Sequence, residues 1–429
     1  MIGTDAQTHA EAGQRAARRV LRGPLRGLVT GQCLGQAGDG FAQIAFAQYV
    51  VFDAGRGATA ARLAAVLAVT LLPFSIIGPF TGVLIDRWAR RRVLVVMSFV
   101  RAVLTLAALA TVVTHSQAGA FVGILLLLST SRFVLAAKGA ALPGTVDPSD
   151  LVTANAVSAV AGMSASFLGA IVGSTFVGHS AAAGFLVASA FYAAAGLVFV
   201  RLPDLGGRAL IRIGAGIREA LSDARDGIRA IAGTPDIRRP LGAVWLHRLL
   251  LGAGFVIVVL LSDARFHLKV AGYGLALGAT GIAAFLGSLA APACARRWQP
   301  SVLIPLTFIP PAVAVLLGAV FTNLVVMIAA LGLTGFSFQL LKVLADAMVG
   351  GAAADAVRGR VFSIYDVLYN LAFVLAGLLM IPLWRPDRVH VLLGILALAF
   401  LAGGALFAGL LRNRVRADTA GLAAAGDRR

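Results

Sequence analysis

The chain has 429 residues, 59% of them hydrophobic and 13% charged, with a formal net charge of +18 and a mean hydropathy of +0.89. That balance excludes a soluble globule and describes a polytopic membrane protein. The charge is not a nucleic-acid footprint, because most Lys and Arg sit in alternate connectors between apolar runs, as the positive-inside rule requires.

In chain order, residues 1–27 are polar and basic (Arg15, Arg18, Arg19, Arg22, Arg26) and are predicted to stay in the cytoplasm. The Arg18-Arg19 pair could pass for a twin-arginine export signal. The run that follows, Leu28 to Val51, carries Gln32, Gln36, Asp39 and Gln43, too polar for the hydrophobic region of a signal. It reads as a first transmembrane helix that lines something wet. Further spans are predicted near 62–85, 93–114, 119–140, 152–177 and 181–201, each near the length of about 20 residues that crosses a bilayer. The second and third are joined by Gly82 to Arg92, too short to cross back. Its arginines Arg87, Arg90, Arg91 and Arg92 place that turn in the cytoplasm.

Residues 202–240 form a basic cytoplasmic loop in which Ile217, Leu221, Ala224, Ile228 and Ile231 fall on one helical stripe. That pattern fits an amphipathic helix on the inner membrane surface, or equally a solvated linker helix. Six more spans follow near 241–262, 270–293, 301–320, 323–344, 360–383 and 388–411, before a cytoplasmic tail over 412–429. The total is twelve with both ends inside, and the outer connectors hold only Arg56, Arg62, Arg265, Lys269, Arg385 and Arg388. Ala295 to Leu303 lines up with Asp86 to Leu94 at an offset of about 209 residues, a half-length repeat without the aspartate. The expected fold is therefore all-α, two pseudo-symmetric six-helix bundles over 28–201 and 241–411. Composition rich in Ala, Gly and Arg suggests a bacterial source, hence the cytoplasmic membrane.

The pattern Gly82-x-x-x-Asp86-Arg87-x-x-Arg90-Arg91 between spans 2 and 3 resembles the signature of the major facilitator superfamily of secondary transporters. Arg132-Phe133, Ala141-Leu142-Pro143, Leu151 to Ala156, Gly272 to Leu275 and Arg358 to Ser363 extend the resemblance over Leu28 to Arg412. They point to the twelve-helix drug:proton antiporter branch that includes the enterobactin exporter and macrolide efflux proteins. The Gly-Pro-rich motif of such antiporters is met here by Gly162, Gly169, Gly173 and Gly178 without the proline. The resemblance implies alternating access of the two bundles. It also implies that Asp86 pairs with neighbouring arginines and with the N-terminal end of span 11, closing the inner mouth.

A charge inside a span costs roughly 2.5–3.5 kcal/mol, so each one asks for a reason. Asp39, mid-span among Gln36 and Gln43, is the candidate proton-coupling group; the alternative is a structural acid at a helix contact near Gly35, Gly38 and Gly40. Arg132 in span 4 is its expected partner, the position the superfamily associates with proton coupling. Arg101 is expected to do no more than snorkel or pair with backbone carbonyls, and Arg248, beside His247, to anchor span 7 at the interface. Asp366, close inside Arg360 and followed by Tyr369 and Asn370, is assigned to the inner gate with Gly82, Asp86, Arg87, Arg90 and Arg91. Spans 1, 4, 7 and 10 face the cavity in this fold, which brings in Gln36, Gln43, Phe46, Trp245, Phe255, Phe336, Phe338 and Gln339 as a wall for a bulky amphipathic ligand. Such aromatics also serve packing.

No cofactor is expected: no phosphate-binding Gly-x-x-x-x-Gly-Lys-Ser/Thr occurs, so the proton gradient is the energy source. Cys33 and Cys294 signal neither a disulfide framework nor a metal site, six scattered histidines show no ligand spacing, and no catalytic constellation falls together. The expected partners are a small-molecule substrate, protons and the bilayer, with no nucleic acid, around a monomer. The reading is an exporter of hydrophobic or amphipathic molecules such as drugs, natural products or siderophores. The competitors are an importer of a polar metabolite, a lipid flippase and a non-transporting sensor, for which the terminal segments are short.

Overall fold

A computed structural model describes residues 23–52, 59–71, 89–114, 116–147, 150–177, 180–205 and 225–426. The first half comprises α1 (Gly23–Ala47, continued by a π-turn over Gln48–Phe52), α2 (Ala60–Leu71), α3 (Arg90–Val113), α4 (Gln117–Ala141), α5 (Leu151–Val177) and α6 (Ala181–Val200). A short connector helix covers 225–233. The second half comprises α7 (Pro235–Phe266), α8 (Lys269–Arg297), α9a and α9b (Pro300–Leu306 and Ile309–Phe321), α10 (Leu324–Ala352), α11 (Asp355–Leu383) and α12 (Val389–Gly426). Among the described residues, ten helices are long and apolar enough to cross a membrane. α1 falls short on polarity, through the glutamines and Asp39 along it. α2 falls short on length as far as it is described.

Local chemistry explains the boundaries. Ser116 and Asn323 N-cap α4 and α10, accepting from Gly119 N at 3.1 Å and Val325 N at 2.8 Å. α9 breaks where Pro305, Pro310 and Pro311 withhold backbone donors, and the second piece restarts with its prolines in the first turn. α12 continues as helix past residue 411, where the sequence placed the start of a tail.

The helices are built inside out. On α3 the apolar Val96, Phe99, Val103 and Leu106 are exposed, Val103 at 65%, while Ser98, Arg101 and Thr105 on the opposite stripe are buried, Arg101 at 2%. Both stripes step by three and four residues, so one face is made for lipid and the other for neighbouring helices.

The chain divides into two units, Met1–Arg56 with Pro73–Ala220, and Gly57–Leu72 with Leu221–Arg429. In the first, α1 packs on α5 and α6, and α3 on α4 and α6. In the second, α7 packs on α11 and α12, and α9b on α10 and α12. First-with-fifth, first-with-sixth, third-with-fourth and third-with-sixth thus recur, and the half-length repeat is structural. α2 belongs to the second unit: Gly377 of α11 faces Ala64 and Leu67.

Glycine sets the helix spacing. A Cβ at Gly40 would lie 2.5 Å from Ala170 N, and one at Gly169 2.9 Å from Ala37 Cα, so α1 and α5 touch backbone to backbone. In the second unit Gly252 on α7 admits the side chains of Phe373 and Ala376 of α11, a Cβ there lying 2.8 Å from Ala376 Cβ.

Candidate functional site

The site of the first unit is assembled by α1, which carries both the acid and the small residues that admit its partners. Gly35 makes room for the Arg101 guanidinium and Gly38 for the Tyr192 ring. Three donors then converge on Asp39 Oδ1: Arg101 Nη2 at 2.5 Å, Ser131 Oγ at 3.0 Å and Tyr192 Oη at 3.0 Å. Ser131, with one proton to give, also lies 3.0 Å from Leu127 O. No described hydrogen bond reaches Oδ2. Arg101 Nη2 also donates to Gly35 O at 3.1 Å, and its guanidinium carbon lies 3.9 Å from the centroid of the Tyr192 ring. The cation therefore meets a carboxylate, a carbonyl and a π-face, the set that makes a buried arginine tolerable.

A second polar chain runs beside it. Lys138 Nζ donates to Ser158 Oγ at 3.1 Å, and Ser158 Oγ donates to Gln32 Oε1 at 2.6 Å. Gln32 Nε2 donates to Ser158 O at 2.9 Å and to Gln36 Oε1 at 3.0 Å. Gln32, Gln36, Asp39, Arg101, Ser131 and Lys138 border one pocket of about 10 Å³, room for a single water molecule. That volume suits a proton and its carrier, not an organic ligand.

These contacts revise the expectations for the first unit. The guanidinium placed on Asp39 is that of Arg101, where Arg132 was expected. α4 contributes Ser131 instead, because neighbouring residues on a helix point about 100° apart. Lys138 and Tyr192 were missed. Lys138 stands inside span 4 and was visible to the intramembrane-charge argument, whereas Tyr192 in an alanine-rich span gave no signal. Of the gate motif, Gly82, Asp86 and Arg87 lie outside the described residues. Arg91 Nη2 donates to Val200 O at 2.6 Å, a cation set on the carbonyl end of α6, and Arg90 Nη1 donates to Leu205 O at 3.2 Å in the segment that follows it.

The second unit holds its own cluster. The Arg248 guanidinium carbon lies 4.3, 4.4 and 5.3 Å from the ring centroids of Tyr369, Phe373 and Phe338, an aromatic box rather than the interfacial anchor expected. A desolvated cation–π contact is worth up to about 2 kcal/mol, comparable with the roughly 2.5–3.5 kcal/mol cost of the charge in a span. Its neighbour His247 is fully buried, donates from Nε2 to Thr307 O at 3.2 Å and packs on Phe308, Phe338 and Phe400. Lys342 and Asp346, also missed, pair at 2.7 Å, and Lys342 Nζ lies 5.2 and 5.7 Å from the Tyr365 and Tyr369 rings. Asp366 is exposed on α11.

Of the expected cavity wall, Gln36 borders the polar pocket and Phe338 the Arg248 box. Phe46 and Phe255 are instead buried packing residues, Phe46 edge-on to Phe121 at 5.5 Å and Phe255 against Tyr273 and Phe373, each at 5.6 Å. Gln43, Trp245, Phe336 and Gln339 are partly buried, the last two opposite Gly287. The connector helix docks on the start of α11 rather than lying free: Asp226 accepts from Arg360 Nη1 at 3.0 Å, Gly227 abuts Arg360 O, and Ile228 is left exposed.

An uncharacterized MFS-type transporter of Mycobacterium tuberculosis is 33% identical over 397 residues, 86% of this chain and 87% of the relative. The crystal structure of the nucleoside transporter NupG superposes with a TM-score of 0.69 at 14% identity, covering 91% of this chain and 99% of the other. That of the peptide transporter POT bound to sulfate gives 0.70 at 15%, covering 94% and 98%. The two share the fold. The Major Facilitator Superfamily profile matches residues 28–377. With that match, and with the repeated helix pairing of its two units, the chain belongs to the Major Facilitator Superfamily of membrane transporters.

Proposed function

We propose that this transporter is a proton-coupled exporter of hydrophobic or amphipathic small molecules, of the drug:proton antiporter branch, working by alternating access of two six-helix bundles with both termini cytoplasmic. The observation that carries the coupling is the Asp39 carboxylate, bound on Oδ1 by Arg101, Ser131 and Tyr192, with Oδ2 outside the described hydrogen bonds and a water-sized pocket beside it. A proton arriving on Asp39 cancels the charge that Arg101 balances and leaves a buried cation uncompensated. That imbalance is the force that would shift the bundle between two arrangements. Arg101 is the positioning cation, and Arg132 keeps its place in the proposal as a further coupling residue. Export rests on the branch resemblance. The fold shared with nucleoside and peptide transporters favours import of a polar metabolite as the second reading.

The test uses inverted membrane vesicles with an imposed proton gradient, to which dyes and antibiotics are added singly. Proton efflux on addition of an amphipathic compound is expected from wild type and not from Asp39→Asn. Undiminished exchange in Asp39→Asn would remove Asp39 from the mechanism.

A further inference from the structure

The two units treat a membrane-embedded arginine in opposite ways. Arg101 has a carboxylate built against it. Arg248 has none: among the described residues its contacts are the faces of Tyr369, Phe373 and Phe338, and no hydrogen bond or ion pair reaches it. Yet it stands 13 residues into α7, roughly 20 Å of helical rise from its start.

Rings answer only part of a guanidinium's chemistry. The π-faces balance the charge, whereas the five N–H donors of the guanidinium plane call for oxygen acceptors that rings do not supply. Nε is enclosed without an acceptor, and Arg248 as a whole stays partly exposed. Asp346, whose Oδ2 is held by Lys342 at 2.7 Å, makes no described hydrogen bond or ion pair with Arg248. Lys342 in turn approaches the same Tyr369 ring at 5.7 Å. Two cations thus flank one tyrosine, and one of them lacks an anion. A planar fork of donors walled by aromatics fits an oxyanion carried on an apolar, ring-bearing body.

We propose that Arg248, with Phe338, Tyr369 and Phe373, forms an anion-binding box for the carboxylate of an aromatic or similarly flat amphipathic substrate. This deepens the transporter reading above by naming the class of molecule carried.

Calorimetric titration of the full chain in lipid nanodiscs tests the box, with 2-naphthoate and its methyl ester as probes that share a ring system and differ in charge. Wild type is expected to prefer the acid by about tenfold or more. Arg248→Gln should bring the ratio to about one, and Arg248→Lys, which keeps the charge but loses the fork, should fall between. A wild type without acid preference, or an Arg248→Gln protein that keeps it, overturns the proposal. Should Arg248→Gln fail to fold, wild type is treated with phenylglyoxal and digested for mass spectrometry. Protection of Arg248 by naphthoate and not by the ester supports the box, and equal modification overturns it. Neither readout needs a proton gradient. Failed antiport with intact acid preference would therefore condemn the coupling reading alone, and antiport indifferent to Arg248 would condemn the box alone.

Discussion

At the scale of single residues, Asp39 and Arg101 are two charges that are tolerable only together. Removing one partner of a buried pair leaves the other uncompensated, at about 3–5 kcal/mol, whereas removing both can come close to neutral. Arg101→Met and Asp39→Asn should each lower the unfolding temperature of the detergent-purified protein, with Asp39→Asn the more severe because it strands a buried guanidinium that cannot give up its charge, whereas a stranded carboxylate can take up a proton. The double variant should recover much of the loss. Additive losses would show that the 2.5 Å contact does not couple the two. Tyr192→Phe keeps the ring under Arg101 and removes one donor from Asp39, so a loss of only about 1 kcal/mol is expected, with the proton response altered rather than abolished.

Among helices, packing rests on glycines whose missing side chains can be ranked. Gly40→Leu and Gly169→Leu would drive a side chain into the facing backbone of α5 and α1. Both should reduce folded yield sharply in fluorescence-detected size-exclusion chromatography. Gly139→Ala, with open space around it, should leave yield and melting temperature unchanged or slightly raised. The connector helix offers a second contrast, since a Cβ at Gly227 would stand 2.9 Å from Arg360 O. Gly227→Val should lift the helix from α11 and break the Asp226–Arg360 contact, seen as faster hydrogen exchange over 225–233. Exchange no faster than wild type would mean that this docking does not hold the helix.

For the whole molecule the proposed orientation is directly measurable. In a Cys33→Ser, Cys294→Ser background, Gln117→Cys at the start of α4 should react with a membrane-impermeant maleimide in intact cells. Ala232→Cys in the connector should react only after permeabilisation. Both residues are exposed, so the reverse pattern would invert the topology.

What the sequence by itself determined follows from solvent: apolar runs of bilayer length, basic residues gathered in alternate connectors and a half-length repeat were legible because lipid acts on composition and length, which are local. The Asp39 candidate was legible for the same reason, since a carboxylate in a span stands out wherever its partner is. Which cation meets it was a tertiary decision. Arg101 and Arg132 are equally visible as charges, and only the crossing of α1, α3, α4 and α6, set by Gly35 and Gly38, brings Arg101 and Ser131 to Oδ1. The roles of the aromatics were decided in the same way. Phe46, Phe255 and Phe338 look alike in sequence, yet two pack edge-on against other rings and one walls an arginine, because rotation of a helix by one residue changes the neighbour a ring meets.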